Sequence, residues 1–208
     1  MKLGFITSIL DGWSFDEVID VASEMGYQCL EVACWPNGKA ERRYAGVCHI
    51  DVANLTDADA AHIQNRCSET GIEISSLAYY PNTIGPGEAG EAAREHLGKV
   101  IEASARLGVG MVTTFIGRDQ TKTVEENLEL VAQYWPAILE KAKSLGVKIA
   151  IENCPMLFGR DQWPGGQNLF TTPANWRKIF EILDSDNLGI NYDPSHFVWQ
   201  MIDYIKPL

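Results

Sequence analysis

Leu145-Gly146-Val147-Lys148-Ile149-Ala150-Ile151-Glu152-Asn153 carries the pattern on which the fold turns. A helical-looking segment stops at Leu145, a glycine follows, and an apolar run starts at once and ends on a carboxylate. Glycine just past a helix takes the left-handed conformation at no steric cost and lets the chain enter a strand. The same punctuation recurs at Met25-Gly26, Thr70-Gly71 and Leu107-Gly108, each followed by a short apolar run: Tyr27–Ala33, Ile72–Tyr80 and Val109–Ile116. Helix starts are legible too. Ser14 with Glu17 and Thr123 with Glu126 have the spacing of a capping box, and Thr172-Pro173 sets a capping hydroxyl before proline at the first helical position. With an opening strand Lys2–Thr7 and the run Leu188–Asp193, the chain reads as six strand-plus-helix units.

Strands alternating with long helices require crossovers and hence a parallel sheet. Two α/β architectures compete, an open doubly wound sheet and a (β/α)8 barrel. The first needs a Gly-rich phosphate turn after an early strand, but Ser8 to Ser14 hold only Gly12, and Gly85-Pro86-Gly87 has the wrong spacing. A barrel places polar residues at the ends of several strands. Side-chain alternation agrees with it: Val147, Ile149 and Ile151 share one face, and Lys148, Ala150 and Glu152 share the other. On the sixth strand Leu188, Ile190 and Tyr192 alternate with Gly189, Asn191 and Asp193. Glu152 and Asp193 then point inward at the C-terminal mouth, a costly arrangement unless a cation or protons neutralise them.

The 208 residues include 28 acidic and 17 basic side chains, a formal charge of −11 that argues against a nucleic-acid partner. The apolar start Leu3 to Leu10 is too short to span a bilayer and lacks a cleavage site, so neither membrane nor secretion is expected. Five scattered cysteines without a C-x-x-C pair read as buried, reduced thiols in a cytoplasmic protein. Strand starts near 3, 27, 72, 109, 147 and 188 are 37 residues apart on average. Two more units would give about 280 residues, inside the usual barrel range. The expectation is a single barrel domain over 1–208, truncated after its sixth unit, whose gene product continues or whose open strand edges are covered.

Ile151-Glu152-Asn153 and Asn191-Tyr192-Asp193-Pro194-Ser195-His196 resemble the fifth- and sixth-strand motifs of the xylose isomerase-like TIM barrels, a superfamily of sugar isomerases and epimerases. Leu30-Glu31-Val32 resembles its second strand. The likeness covers the first six of eight units. It implies a divalent-metal site (Mn²⁺, Mg²⁺, Co²⁺ or Zn²⁺) with Glu152 and Asp193 as two ligands and His196 contacting substrate. The other two ligands, a His and a Glu, belong to the seventh and eighth strands. The implied activity is isomerisation or epimerisation of a small sugar or polyol-derived ketone through an enediolate that the metal stabilises, with Glu152 as ligand and base.

Further candidates are Trp163 and Trp13 as flat apolar faces for a sugar ring, Arg118 for a phosphate or carboxylate, His49 at the mouth, and Glu31 as a supporting carboxylate. His62 and His96 fall in helices and read as surface residues. Cys34 and Cys154 end strands with no His-plus-acid relay evident beside them, which argues against a thiol nucleophile. Two other readings remain: a catalytically incomplete barrel serving as a binding or assembly module, and a zinc-dependent apurinic endonuclease. The endonuclease would need early-strand His ligands where Tyr79, Tyr80, Thr113 and Thr114 stand, and the −11 charge opposes a DNA backbone. The long loop Pro155–Thr172 and any open edges would suit a homo-oligomer.

Overall fold

The structure, a computed structural model, describes residues 1–38, 45–157 and 166–207. Among the described residues six strands alternate with six α-helices: β1 (Gly4–Ile6), α1 (Phe15–Glu24), β2 (Cys29–Ala33), α2 (Asp57–Thr70), β3 (Glu73–Ala78), α3 (Gly87–Leu107), β4 (Met111–Thr114), α4 (Val124–Ser144), β5 (Lys148–Glu152), α5 (Pro173–Leu183), β6 (Leu188–Asn191) and α6 (Pro194–Trp199). They form one six-stranded sheet in sequential order. β1 with β2, β2 with β3, and β5 with β6 run parallel. This is the α/β order of a partial TIM barrel. Each strand is shorter than its apolar run, because the flanking residues turn toward the loops.

Local chemistry accounts for the boundaries. Gly26, Gly71, Gly108 and Gly146 all have positive φ, between 69° and 78°. Ser14 and Glu17 close a capping box at the start of α1. Thr123 and Glu126 exchange the same pair of bonds before α4, and Thr172 caps α5 ahead of Pro173. A further box, Thr56 with Asp59, opens α2. Its acid is one methylene shorter than the usual Glu, which hides it from a search on spacing and residue type.

The described residues fall into two compact units. One comprises Met1–Tyr79, His96–Val112 and Ser144–Val147. Its core joins Val18, Ile19 and Ala22 of α1 to Leu30 and Val32 of β2, Leu77 of β3, and Leu97, Val100 and Ile101 of α3, all without solvent exposure. The other comprises Tyr80–Glu95, Thr113–Lys143 and Lys148–Leu208. Here Ile149 and Ile151 of β5, Trp135 of α4 and Ile179 of α5 are fully buried. Trp176 stacks on Phe170 and on Phe197, with ring centroids 5.5 and 5.1 Å apart. That aromatic stack ties α6, only six residues long, to α5. Among the described residues no helix is long and apolar enough to cross a membrane.

Candidate active site

β5 and β6 pair in register, Ile151 opposite Ile190 and Glu152 opposite Asn191. Just beyond this pairing the two strand ends are locked together. The fully buried Asn153 donates from Nδ2 to the Asp193 carbonyl at 2.9 Å and accepts the Asp193 N–H at 2.7 Å. Asp193 then caps α6, its Oδ1 accepting the Ser195 N–H at 2.8 Å. With Asp193 at the cap, His196 lies in the first turn of α6. Its Nε2 meets Glu152 Oε1 at 3.1 Å and Asp193 Oδ2 at 3.4 Å. The Glu152 and His196 side chains are 19% and 22% exposed, whereas that of Asp193 is 41% exposed.

Cys154 joins this cluster. A carboxylate oxygen of Glu152, a ring nitrogen of His196 and Cys154 Sγ all lie within 4.8 Å of one another. Burial pulls the His196 imidazolium down, but hydrogen bonds to Cys154 and Glu152 and the negative charge beside them outweigh it and push it up to about 10. A proton on His196 would compensate the two carboxylates that face its Nε2, and a cation bound there would displace that proton. The absence of a His-plus-acid relay beside Cys154, expected from the sequence, is corrected here: His196 and Glu152 both adjoin it. The relay was hidden because its members are 42 and 44 residues apart in the chain. For Cys34 the expectation stands differently. That thiol is buried, donates to the Val32 carbonyl and is pushed well up by burial and by Cys48.

The loop after β5 is held by one amide. Asn168, 2% exposed, donates from Nδ2 to the carbonyls of Glu152 and Cys154 at 3.0 and 2.9 Å. Its Oδ1 accepts the N–H groups of Gly117 and Phe170 at 3.3 and 3.4 Å. Gly117 must be glycine: φ is +87°, and a Cβ would lie 2.0 Å from Asn82 Oδ1 and 2.7 Å from Asn82 Cα. Gly117→Ala adds left-handed strain to that overlap. It is expected to lower stability by about 2–4 kcal/mol, read from urea denaturation.

The other candidates lie elsewhere. Arg118 follows Gly117; its carbonyl accepts Asn82 Nδ2 at 2.8 Å, and its buried Nε has no hydrogen-bond partner among the described residues. Trp163 lies outside the described residues. Glu31 sits half-buried on β2, opposite Ser76 of β3, in the first unit, and Trp13, also in that unit, is 44% exposed. His62 is exposed and bonds to Asp16. His96, expected at the surface, is instead buried, with Nε2 2.8 Å from the Cys34 carbonyl, because its face of α3 packs on Tyr79. All five cysteines are free, but only Cys34 is buried; the other four are partly exposed, a correction to the uniformly buried thiols expected.

His49 lies in the first unit. Its Nε2 donates to the Leu10 carbonyl at 3.2 Å, so Nδ1 accepts the Thr7 hydroxyl at 2.8 Å. It lines a concavity of 370 Å³ with Ser14, Asp16 and His62. Burial holds its pKa below the ordinary value, against the opposing pull of the Leu10 carbonyl and Asp11. The unfolded chain therefore takes up this proton first. The contribution is intact above about pH 6.5 and is lost as pH falls below it. Urea titrations at pH 7.5 and 5 are expected to show a steeper acid loss for the wild type than for His49→Gln.

The sequence matches the xylose isomerase-like TIM barrel family over residues 19–207. The chain belongs to that family. It is 23% identical over 230 residues to an uncharacterized protein, YfiH, of Bacillus subtilis (strain 168), covering 99% of this chain and 67% of that protein. Among solved structures of similar fold is the probable 3-DHS dehydratase AsbF from Bacillus anthracis, with TM-score 0.74, 18% identity, and coverage of 100% of this chain and 68% of that one. Another is IOLI protein with a binding zinc atom, with TM-score 0.71, 19% identity, and coverage of 98% and 66%. D-Psicose 3-epimerase from Clostridium cellulolyticum H10 has TM-score 0.68, 15% identity, and coverage of 95% and 65%. The chain thus spans about two thirds of the length of these proteins.

Proposed function

We propose that this xylose isomerase-like chain serves metal-dependent isomerisation or epimerisation of a small sugar or related hydroxy-carbonyl compound. The observation that carries the reading is the approach of Glu152 Oε1 and Asp193 Oδ2 to one nitrogen of His196, at 3.1 and 3.4 Å. Donors held 2.0–2.2 Å from one ion stand roughly 3 Å apart, so Glu152 and His196 are spaced as neighbouring ligands are, and the donor set fits a divalent cation. Glu152 would hold it, with Asp193 and His196 as flanking donors. When bound, such an ion polarises a carbonyl oxygen and makes the adjacent C–H more acidic.

Glu152 has the further task of moving a proton. Its carboxylate would remove a proton from the carbon beside the carbonyl and return it to the neighbouring carbon in isomerisation, while epimerisation needs a second acid to deliver a proton to the opposite face. Asn168 holds the Glu152 backbone and limits the drift of that oxygen. His196, on a helix pinned by the aromatic stack, would give its Nε2 to the ion rather than to substrate hydroxyls, the role first expected of it. The dehydratase, epimerase and zinc-binding neighbours support this range of chemistry. A reducing cytoplasm suits the five free cysteines.

The test is a panel of ketoses and inososes incubated with the full chain and Mn²⁺ or Co²⁺, with products separated chromatographically. At least one isomer or epimer should form in proportion to enzyme, and chelator should stop it. Absence of turnover across the panel, with metal demonstrably bound, would contradict the assignment.

A further inference from the structure

We infer that Cys154 is a metal ligand, forming with Glu152 and His196 a carboxylate–imidazole–thiolate set that selects zinc and cobalt over magnesium and manganese. The inference rests on the metal reading above and gives the site a preference that reading leaves open. Of the carboxylates at the strand ends, Asp193 spends Oδ1 on the α6 cap. Its Oδ2 remains a flanking donor, and beside it Glu152, Cys154 and His196 place their donor atoms within 4.8 Å of one another.

The position of the sulfur is built by the backbone around it. Cys154 lies two residues after Glu152, the interval that returns a side chain to the same side of an extended chain. Asn168 fixes the carbonyls of both residues. Met156 then turns the chain with φ +54° while its own side chain is 1% exposed. That conformation disfavours a non-glycine residue, so the surrounding packing must hold it. The turn directs the Met156 N–H onto Cys154 Sγ at 3.4 Å, so the sulfur is oriented as an acceptor. No disulfide engages it.

Ligation breaks the S–H bond and releases the proton to solvent, leaving the thiolate pair of electrons for the metal. Soft thiolate favours zinc and cobalt, whereas magnesium and manganese prefer oxygen donors. Loss of groups that merely support ligands costs about 10–100-fold in metal affinity; loss of a ligating sulfur should cost at least that for zinc.

The experiment loads the full chain with Co²⁺ and records its near-ultraviolet and visible absorption, then measures Zn²⁺ and Mn²⁺ affinity by chelator competition. The wild type should show a sulfur-to-cobalt charge-transfer band, and Cys154→Ser should lack it. Cys154→Ser should also bind zinc at least about 10-fold more weakly while changing manganese affinity by less than about threefold. Bound cobalt without that band in the wild type, which requires no variant to fold, would overturn the role of Cys154 and leave the metal reading standing. Failure of the wild type to retain any divalent ion would overturn both.

Discussion

Asn168→Ala is expected to lower the unfolding free energy by about 3–5 kcal/mol, the largest stability loss among single substitutions near the site. Four hydrogen bonds end on this one buried amide, two donated to Glu152 and Cys154 and two accepted from Gly117 and Phe170. Truncation leaves those backbone groups without it, at about 1–3 kcal/mol for each that water cannot reach. Partial relaxation keeps the total below the full sum. With a urea slope of about 2 kcal/mol/M, the midpoint should fall by roughly 2 M. Asn168→Asp keeps the acceptor but removes both donated bonds, so it should recover little of the loss. A midpoint shift under about 0.5 M for Asn168→Ala would show that the loop after β5 is held by something else.

The second large effect concerns turnover. Glu152→Gln preserves the shape of the side chain and removes its charge, so it tests chemistry with little disturbance of packing. If Glu152 moves the proton, kcat should fall by about 10²–10⁴-fold on whichever substrate the panel reveals. The urea midpoint should stay close to that of the wild type, since the side chain is only partly buried and lies at a strand end. A variant that keeps more than a third of wild-type kcat would remove Glu152 from the chemistry while leaving the fold assignment intact.

Much of the fold is legible in the sequence because its signals are local. A helix-ending glycine and a hydroxyl-plus-acid cap act within four residues, so Gly26, Gly71, Gly108, Gly146, Ser14 and Thr123 mark element ends without knowledge of what packs where. Strand alternation likewise puts Glu152 on the face opposite the fully buried Ile149 and Ile151. What escapes such reading is long-range. Asn168 sits in a loop without periodicity, and its importance comes from three segments that meet only in the folded chain. Cys154 reads as an isolated thiol until α6 brings His196 to it. His96 reads as a surface residue because a helix wheel does not reveal that its face meets Tyr79 and the Cys34 carbonyl.

The central claim, that Glu152 and His196 belong to a divalent-cation site at the ends of β5 and β6, is tested most directly by equilibrium dialysis of the chelator-stripped full chain against Zn²⁺, Co²⁺ and Mn²⁺, followed by elemental analysis. The account predicts one ion per chain for at least one of these metals, with affinity reduced at least about 10-fold by Glu152→Gln. Retention of no ion by the wild type, or equal retention by Glu152→Gln, would contradict it.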